Sequence, residues 1–259
     1  VSIWLLLTVV TLPATLGFAQ GQAATRAHRL EHPTQAINAY EEKEVEFANG
    51  EIKLAGVILL PKRIIKAPGI VIIHGSGSND RTNAWAAAFA MGLAERGIAM
   101  LLPDKRGSGR SSGDWKRASF EDLADDAIAG VETLRGYSQV KPGSVGVLGL
   151  SQGGHIAPLA ATRSSHVAFV INISGSTVPI TEQMIDEVEK LAERAGFTEE
   201  QIDRVNVLHG RAIDYGLTEE GWEDYHANLE RELKDDLAGH DIIEPFPSSR
   251  DHWVWQWVR

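Results

Sequence analysis

The sequence predicts an α/β fold, a mostly parallel sheet with helices on both faces, within a chain of 259 residues. Two observations carry that prediction. Runs that are apolar on both faces (69–73, 98–102, 145–150 and 167–173) alternate with helix-patterned runs (85–96, 120–134 and 152–162). Strands of that kind belong inside a parallel sheet covered on both sides, since strict alternation is needed only where one face meets water. The run at 145–150 also passes directly into a helix through Gly149-Leu150-Ser151-Gln152-Gly153, a sharp junction flanked by small residues.

Taken in chain order, the first element is an apolar stretch over residues 3–12, broken by Pro13 and followed by Gly17-Phe18-Ala19. This reads as an export leader over 1–19, although no Lys or Arg precedes Arg26. Ten residues are too few to span a bilayer. The mature protein is therefore expected to be periplasmic or extracellular, with no stable membrane span. Residues 20–41 read as a linker. Strands at 43–47 and 52–60 flank Ala48-Asn49-Gly50-Glu51, where the Asn-Gly pair predicts a tight hairpin with both residues at positive φ. The alternating core extends from 42 to 180; Gly97 closes its first helix and Ser119 caps its second. From 181 to 238 the alternation gives way to helical spacing, as in Met184, Val188, Leu191 and Ala195, then Ile202, Val205, Leu208 and Ile213, then Trp222, Tyr225, Leu229 and Leu233. That predicts about three helices placed as a lid over the catalytic edge. Residues 239–259 form a return segment in which Trp253, Trp255 and Trp257 alternate in strand fashion.

Composition excludes several functions. The net charge of −10 argues against nucleic acid or an anionic membrane as a partner. With no cysteine there is no disulfide, thiolate metal site or cysteine nucleophile. His28-Arg29-Leu30-Glu31-His32 has the spacing of a zinc-peptidase helix, but it lies in the linker with Pro33 next to it, so no metal or other cofactor is expected. Oligomeric state is not encoded in any of these features.

The chemistry concentrates at strand exits. Gly149-x-Ser151-x-Gly153 is a nucleophile elbow: a strained turn lifts the Ser151 hydroxyl above the sheet, and glycines on either side avoid backbone collision. His74-Gly75-Ser76-Gly77 follows the strand at 69–73, and its glycines let N–H groups face a cavity, as an oxyanion hole requires. The expected donors are the N–H of Gln152 and that of Ser76, with Gly75 as the alternative. His74 is expected to be a structural hydrogen-bonder. Asp104-Lys105-Arg106-Gly107-Ser108-Gly109 leaves the next strand. It lacks the Gly-Lys-Ser/Thr ending of a phosphate loop, and it reads as scaffold, with Asp104 and Arg106 spaced to anchor it by ion pairing.

Three segments, HGSGSNDR (74–81), DKRGSG (104–109) and GLSQGGHIAP (149–158), together resemble the α/β-hydrolase superfamily, and within it bacterial exported carboxylesterases. The resemblance implies the α/β-hydrolase fold with a helical lid, a Ser-Asp-His triad in that order, and hydrolysis of a small-molecule ester through an acyl-enzyme on Ser151. A peptidase or thioesterase, or a non-catalytic hydrolase-like binding module, would share these motifs. The triad acid and histidine are expected on strands after the lid, and no such strands are legible before Arg259. The resemblance thus implies a C-terminally truncated chain in which acid and base lie beyond Arg259, inactive by itself. His155, one helical turn past Ser151, is poorly placed for a base, and Asp251 and His252 are too close in sequence to form a relay.

Overall fold

The computed structural model describes residues 39–235, 246–252 and 254–258. The expected leader, most of the linker with its His28–His32 pattern, His240 and Trp253 lie outside the described residues. Six strands form one mixed sheet in the order β1-β2-β4-β3-β5-β6. They are β1 (Tyr40–Asn49), β2 (Ile52–Pro61), β3 (Ala67–Ile73), β4 (Ala99–Pro103), β5 (Val140–Leu150) and β6 (Val170–Ile173). β1 pairs antiparallel with β2 and β2 antiparallel with β4, whereas β4, β3, β5 and β6 run parallel.

The hairpin departs from expectation in its turn. Asn49 pairs with Ile52, so the tip is Gly50-Glu51, and only Gly50 takes positive φ, at 55°. Asn49 remains in the strand, where its Nδ2 donates to Asp126 Oδ1 at 2.8 Å. That tertiary bond holds Asn49 where local turn preference would have moved it.

Helices α1 (Ala84–Glu95), α2 (Phe120–Arg135) and α3 (Gly153–Arg163) connect the parallel strands. Alternation along each strand divides the core in two. Ile70, Ile72, Met100, Leu102 and Leu148 pack with Ala86, Ala90 and Ala94 of α1 on one face. Val71, Ile73, Leu101, Val145 and Val147 meet Leu123, Val131 and Leu134 of α2 and Ile156 and Ala160 of α3 on the other. The chain moves in one direction across the sheet from β3 to β4, and in the opposite direction from β4 to β5 and on to β6. Crossovers of constant hand must then lie on opposite faces, as α1 does relative to α2 and α3. The loops leaving the adjacent strands β3 and β5 consequently diverge, opening a crevice at their carboxyl ends.

Beyond β6 come α4 (Ile180–Arg194), α5 (Glu199–Thr218), α6 (Trp222–Glu232) and the single turn α7 (Trp255–Val258). The tail expected to alternate in strand fashion is helical at Trp255. The indole stands edge-on to Tyr215 and Tyr225, with centroids 5.0 and 5.7 Å away, and its Nε1 donates to Ser249 O at 2.9 Å. Burying this ring between α5 and α6 satisfies both its apolar body and its polar edge, which outweighs a two-residue pattern. The helices hold a core of their own around Val205, Leu208, Tyr225 and Leu229. Among the described residues no helix is long and apolar enough to cross a membrane.

The start of α2 positions Asp122 and Asp126 against Arg106 of the loop that leaves β4. Ser119 Oγ accepts from the Asp122 N–H at 3.1 Å, and Asp122 Oδ2 accepts from the Ser119 N–H at 3.0 Å, a closed capping box. Ser119→Ala removes the Oγ acceptor, opens the first of these bonds, and is expected to lower unfolding free energy by about 1 kcal/mol in urea titration, with the m-value unchanged.

Candidate active site

The site grows from one backbone constraint. Ser151 has φ 52°, a left-handed conformation that a side chain makes costly, between the end of β5 and the first turn of α3. Its N–H donates to Ile173 O at 2.9 Å and its carbonyl accepts from the Gly154 N–H at 2.7 Å, so the turn is held from both sides. Gly149 and Gly153 are required by contact: a β-carbon on Gly149 would stand 2.0 Å from Gly153 O, and one on Gly153 would stand 2.3 Å from Ile73 O. The elbow is pressed against the exit of β3. A β-carbon on Gly75 would likewise lie 3.4 Å from Ser151 Cβ and 4.0 Å from Ser151 Oγ, which sets the 74–81 loop beside the hydroxyl.

That loop is braced from within. Gly77 takes φ 83°, and Asn79 Nδ2 donates to Ser76 O at 2.7 Å. Asn79 O in turn accepts from the Lys105 N–H at 3.0 Å, tying the β3 exit to the β4 exit. Among the described residues, the N–H groups of Gly75, Ser76 and Gln152 donate to no other group. His74 is buried, and its Nε2–H donates to Pro103 O at 2.7 Å. Burial pushes its pKa down to about 4, so it is neutral and acts as a strut between β3 and β4.

Asp104 and Arg106 both form ion pairs, though each faces a different partner. Asp104 accepts from Arg81 Nε at 2.9 Å and Nη2 at 2.8 Å and from the Arg110 N–H at 2.9 Å. Burial raises the carboxyl, but these donors outweigh it and hold Asp104 below the ordinary carboxylate range. Arg106 forks onto Asp126 at 2.6 and 2.8 Å. The Asp104 backbone bonds outward to Ala55 of β2 while the Lys105 backbone bonds to the 74–81 loop, so successive residues are drawn to opposite sides. Lys105 was legible only as a motif member. Its side chain is 7 % exposed, and Nζ donates to Gly75 O at 2.9 Å and Gln152 Oε1 at 3.0 Å. A charged triplet directly after a buried strand was the available signal.

The histidines lie elsewhere. His155 Nε2 pairs with Gln183 Oε1 at 2.9 Å, with its ring 6.2 Å from that of Phe120. His166 pairs with Glu132, His209 stands edge-on to Phe246, His226 stacks on Trp222, and His252 Nδ1 accepts from the Val254 N–H. Among the described residues no histidine bonds to Ser151 Oγ, and no cluster of three metal-ligating side chains occurs.

A left-handed serine at a strand-to-helix junction, beside a glycine loop on the neighbouring strand, is the arrangement of α/β-hydrolases. Residues 66–216 match the family described as serine aminopeptidase, S33. The chain belongs to that α/β-hydrolase family. It is 30% identical over 175 residues to esterase EstD of Thermotoga maritima, covering 66% of this chain and 40% of that protein. It is 27% identical over 130 residues to quorum-quenching protein AidA of Acinetobacter baumannii, covering 50% of this chain and 42% of that one. The hydrolase thus spans about two fifths of the length of these curated relatives. Hypothetical protein PA2218 from Pseudomonas aeruginosa shares the fold, with a TM-score of 0.50 and 22% identity, over 70% of this chain and 61% of that one.

Two stability outcomes follow from this hydrolase's site. Ser151→Gly removes the β-carbon from a left-handed residue and is expected to raise unfolding free energy by about 1 kcal/mol in denaturant titration. His74 and His209 are both lowered by burial from 6.5 to about 4, so the unfolded chain binds more protons than the folded one between those values. Their contribution is complete above pH 6.5 and is lost as pH falls toward 4. The pH dependence of the urea midpoint is expected to flatten across that window in His209→Phe.

Proposed function

We propose that this hydrolase cleaves carboxylic esters of small molecules with Ser151 as nucleophile. The observation that supports it most directly is the left-handed Ser151 next to a loop whose Gly75 and Ser76 N–H groups have no other acceptor among the described residues. In the proposed reaction Ser151 Oγ bonds to the acyl carbon and its proton passes to a base. The carbonyl oxygen becomes an anion facing the Gln152 and Ser76 N–H groups. The anion collapses, the ester C–O bond breaks, and the alcohol leaves with a proton. Water then attacks the acyl-enzyme and releases the acid. A relative named as an esterase is consistent with ester cleavage.

The family description points to a second reading, cleavage of an N-terminal peptide bond by the same serine. Turnover of p-nitrophenyl butyrate against aminoacyl p-nitroanilides separates the two, with the ester expected to react at least 100-fold faster. Helices α4 to α6 would serve as the lid that shapes the acyl pocket, and the leader would send the protein out of the cytoplasm.

Covalent labelling by a fluorophosphonate tests the nucleophile. Label is expected on Ser151 and none on Ser151→Ala; a wild-type chain that takes no label contradicts the reading of Ser151 as an activated nucleophile. Since no described histidine reaches Ser151, the 259-residue chain is expected to turn over p-nitrophenyl esters slowly despite accepting label. Steady-state turnover above about 10 s⁻¹, the middle of the enzyme range, contradicts this.

A further inference from the structure

Lys105 is the buried cation whose place the ester mechanism has not yet used. Its Nζ reaches two groups: the carbonyl of Gly75 at 2.9 Å and the Oε1 of Gln152 at 3.0 Å. Both belong to the expected oxyanion machinery. The Gly75 carbonyl shares a peptide plane with the Ser76 N–H, and Gln152 carries the other donor on its own backbone. The indole of Trp115 closes the third side, its centroid 5.6 Å from Nζ. Neither of the other cations in this loop resembles it. Arg106 lies against Asp126 and Arg110 against Glu46, whereas Lys105 forms no ion pair among the described residues. An ammonium kept from water without a counter-ion is costly, and a fold retains such an arrangement only where something offsets it.

We propose that Lys105 is a positioning residue of the oxyanion hole, its ammonium polarising the Gly75–Ser76 peptide and clamping Gln152, with the transition-state oxyanion as the negative charge it lacks at rest. This rests on the proposed serine-esterase reading. An N–H is a stronger donor when the carbonyl of the same peptide already accepts from a cation, since bonds in such a chain polarise one another. The Ser76 N–H would therefore gain more from a full negative charge than from the ground-state carbonyl, which is the difference that accelerates a step. The Gln152 clamp acts on geometry. Gln152 is 2 % exposed, its Nε2 has no partner among the described residues, and the Lys105 bond is the side-chain hydrogen bond that orients it.

The test compares fluorophosphonate labelling of the wild-type chain, Lys105→Met and Lys105→Arg, with urea midpoints measured alongside. Lys105→Met keeps the stem and removes the charge. It is expected to lower the maximal labelling rate about 100-fold, the scale of one lost oxyanion donor, with the half-saturating probe concentration unchanged and the midpoint no lower than wild type. Lys105→Arg keeps a charge and is expected to stay within tenfold of wild type. Labelling of Lys105→Met within threefold of wild type overturns the inference while leaving Ser151 as nucleophile. A slow Lys105→Met with a reduced midpoint, or an equal loss in both variants, overturns it too by marking a packing role. No label on the wild type fails the esterase reading first and this inference with it.

Discussion

The contact between the first turn of α3 and the exit of β3 is the constraint from which the rest of the site follows. Gly153 sits so close to Ile73 O that a β-carbon there would stand 2.3 Å away, and that proximity leaves no room for a gradual bend after β5. The chain must turn within one residue, and Ser151 absorbs the turn at φ 52°. The strain is local, whereas what balances it is spread over the Ser151–Ile173 and Gly154–Ser151 backbone bonds and over Ile156, Ala157 and Ala160 of α3, all buried against the sheet. A hydroxyl held this way has little freedom to retreat, which is the condition for a nucleophile that needs no reorganisation before it reacts.

Sheet topology explains why this contact lies beside the 74–81 loop and not elsewhere. The strands are parallel from β4 through β6, so their carboxyl ends share one edge. Between β3 and β5 the departing loops separate, because α1 and α3 go to opposite faces. Any pair of groups that must converge on one small substrate has to come from those two exits. The helical segment α4 to α6 adds its own aromatic core around Trp222, Tyr225 and Trp255 and reaches the edge through Gln183, which holds His155.

Much of this was legible in residue patterns because the patterns encode burial. Continuous apolar runs marked β3, β4 and β5 within two to five residues of their ends, and the alternation of Ile70 with Val71 and Ile72 with Ile73 serves two cores at once. The Ser119 cap and the Gly149-Ser151-Gly153 spacing were visible because local sterics dictate residue type there. Partnerships between distant segments left no such trace. Asn49 sits in a favoured turn dipeptide, yet its amide is taken by Asp126, 77 positions away. Asp104 and Arg106 were legible as ion-pairing anchors, but nothing local named Arg81 and Asp126 as their partners. Trp255 belonged to an apparent strand until two tyrosines supplied a pocket. Pattern reports which side of a residue is buried; it does not report against what.

The distribution of charge around the crevice carries the argument furthest. Asp104 is matched to Arg81, which also reaches Glu44 on β1, and Arg110 bridges Glu44 and Glu46 on that same strand. Arg106 is matched to Asp126 with Asp122 nearby. These pairs lock the β4 exit to the hairpin on one side and to α2 on the other, with each guanidinium matched to a carboxylate. Beside the elbow stand the positive end of α3, where the Gln152 N–H has no other acceptor among the described residues, and Lys105, whose pKa burial lowers to about 7. Lys105 Nζ bonds to the Gly75 carbonyl and carries its full charge only below that pKa. A pocket built this way opposes a bound cation and favours negative charge that appears only during reaction, which is the requirement of acyl transfer through an oxyanion.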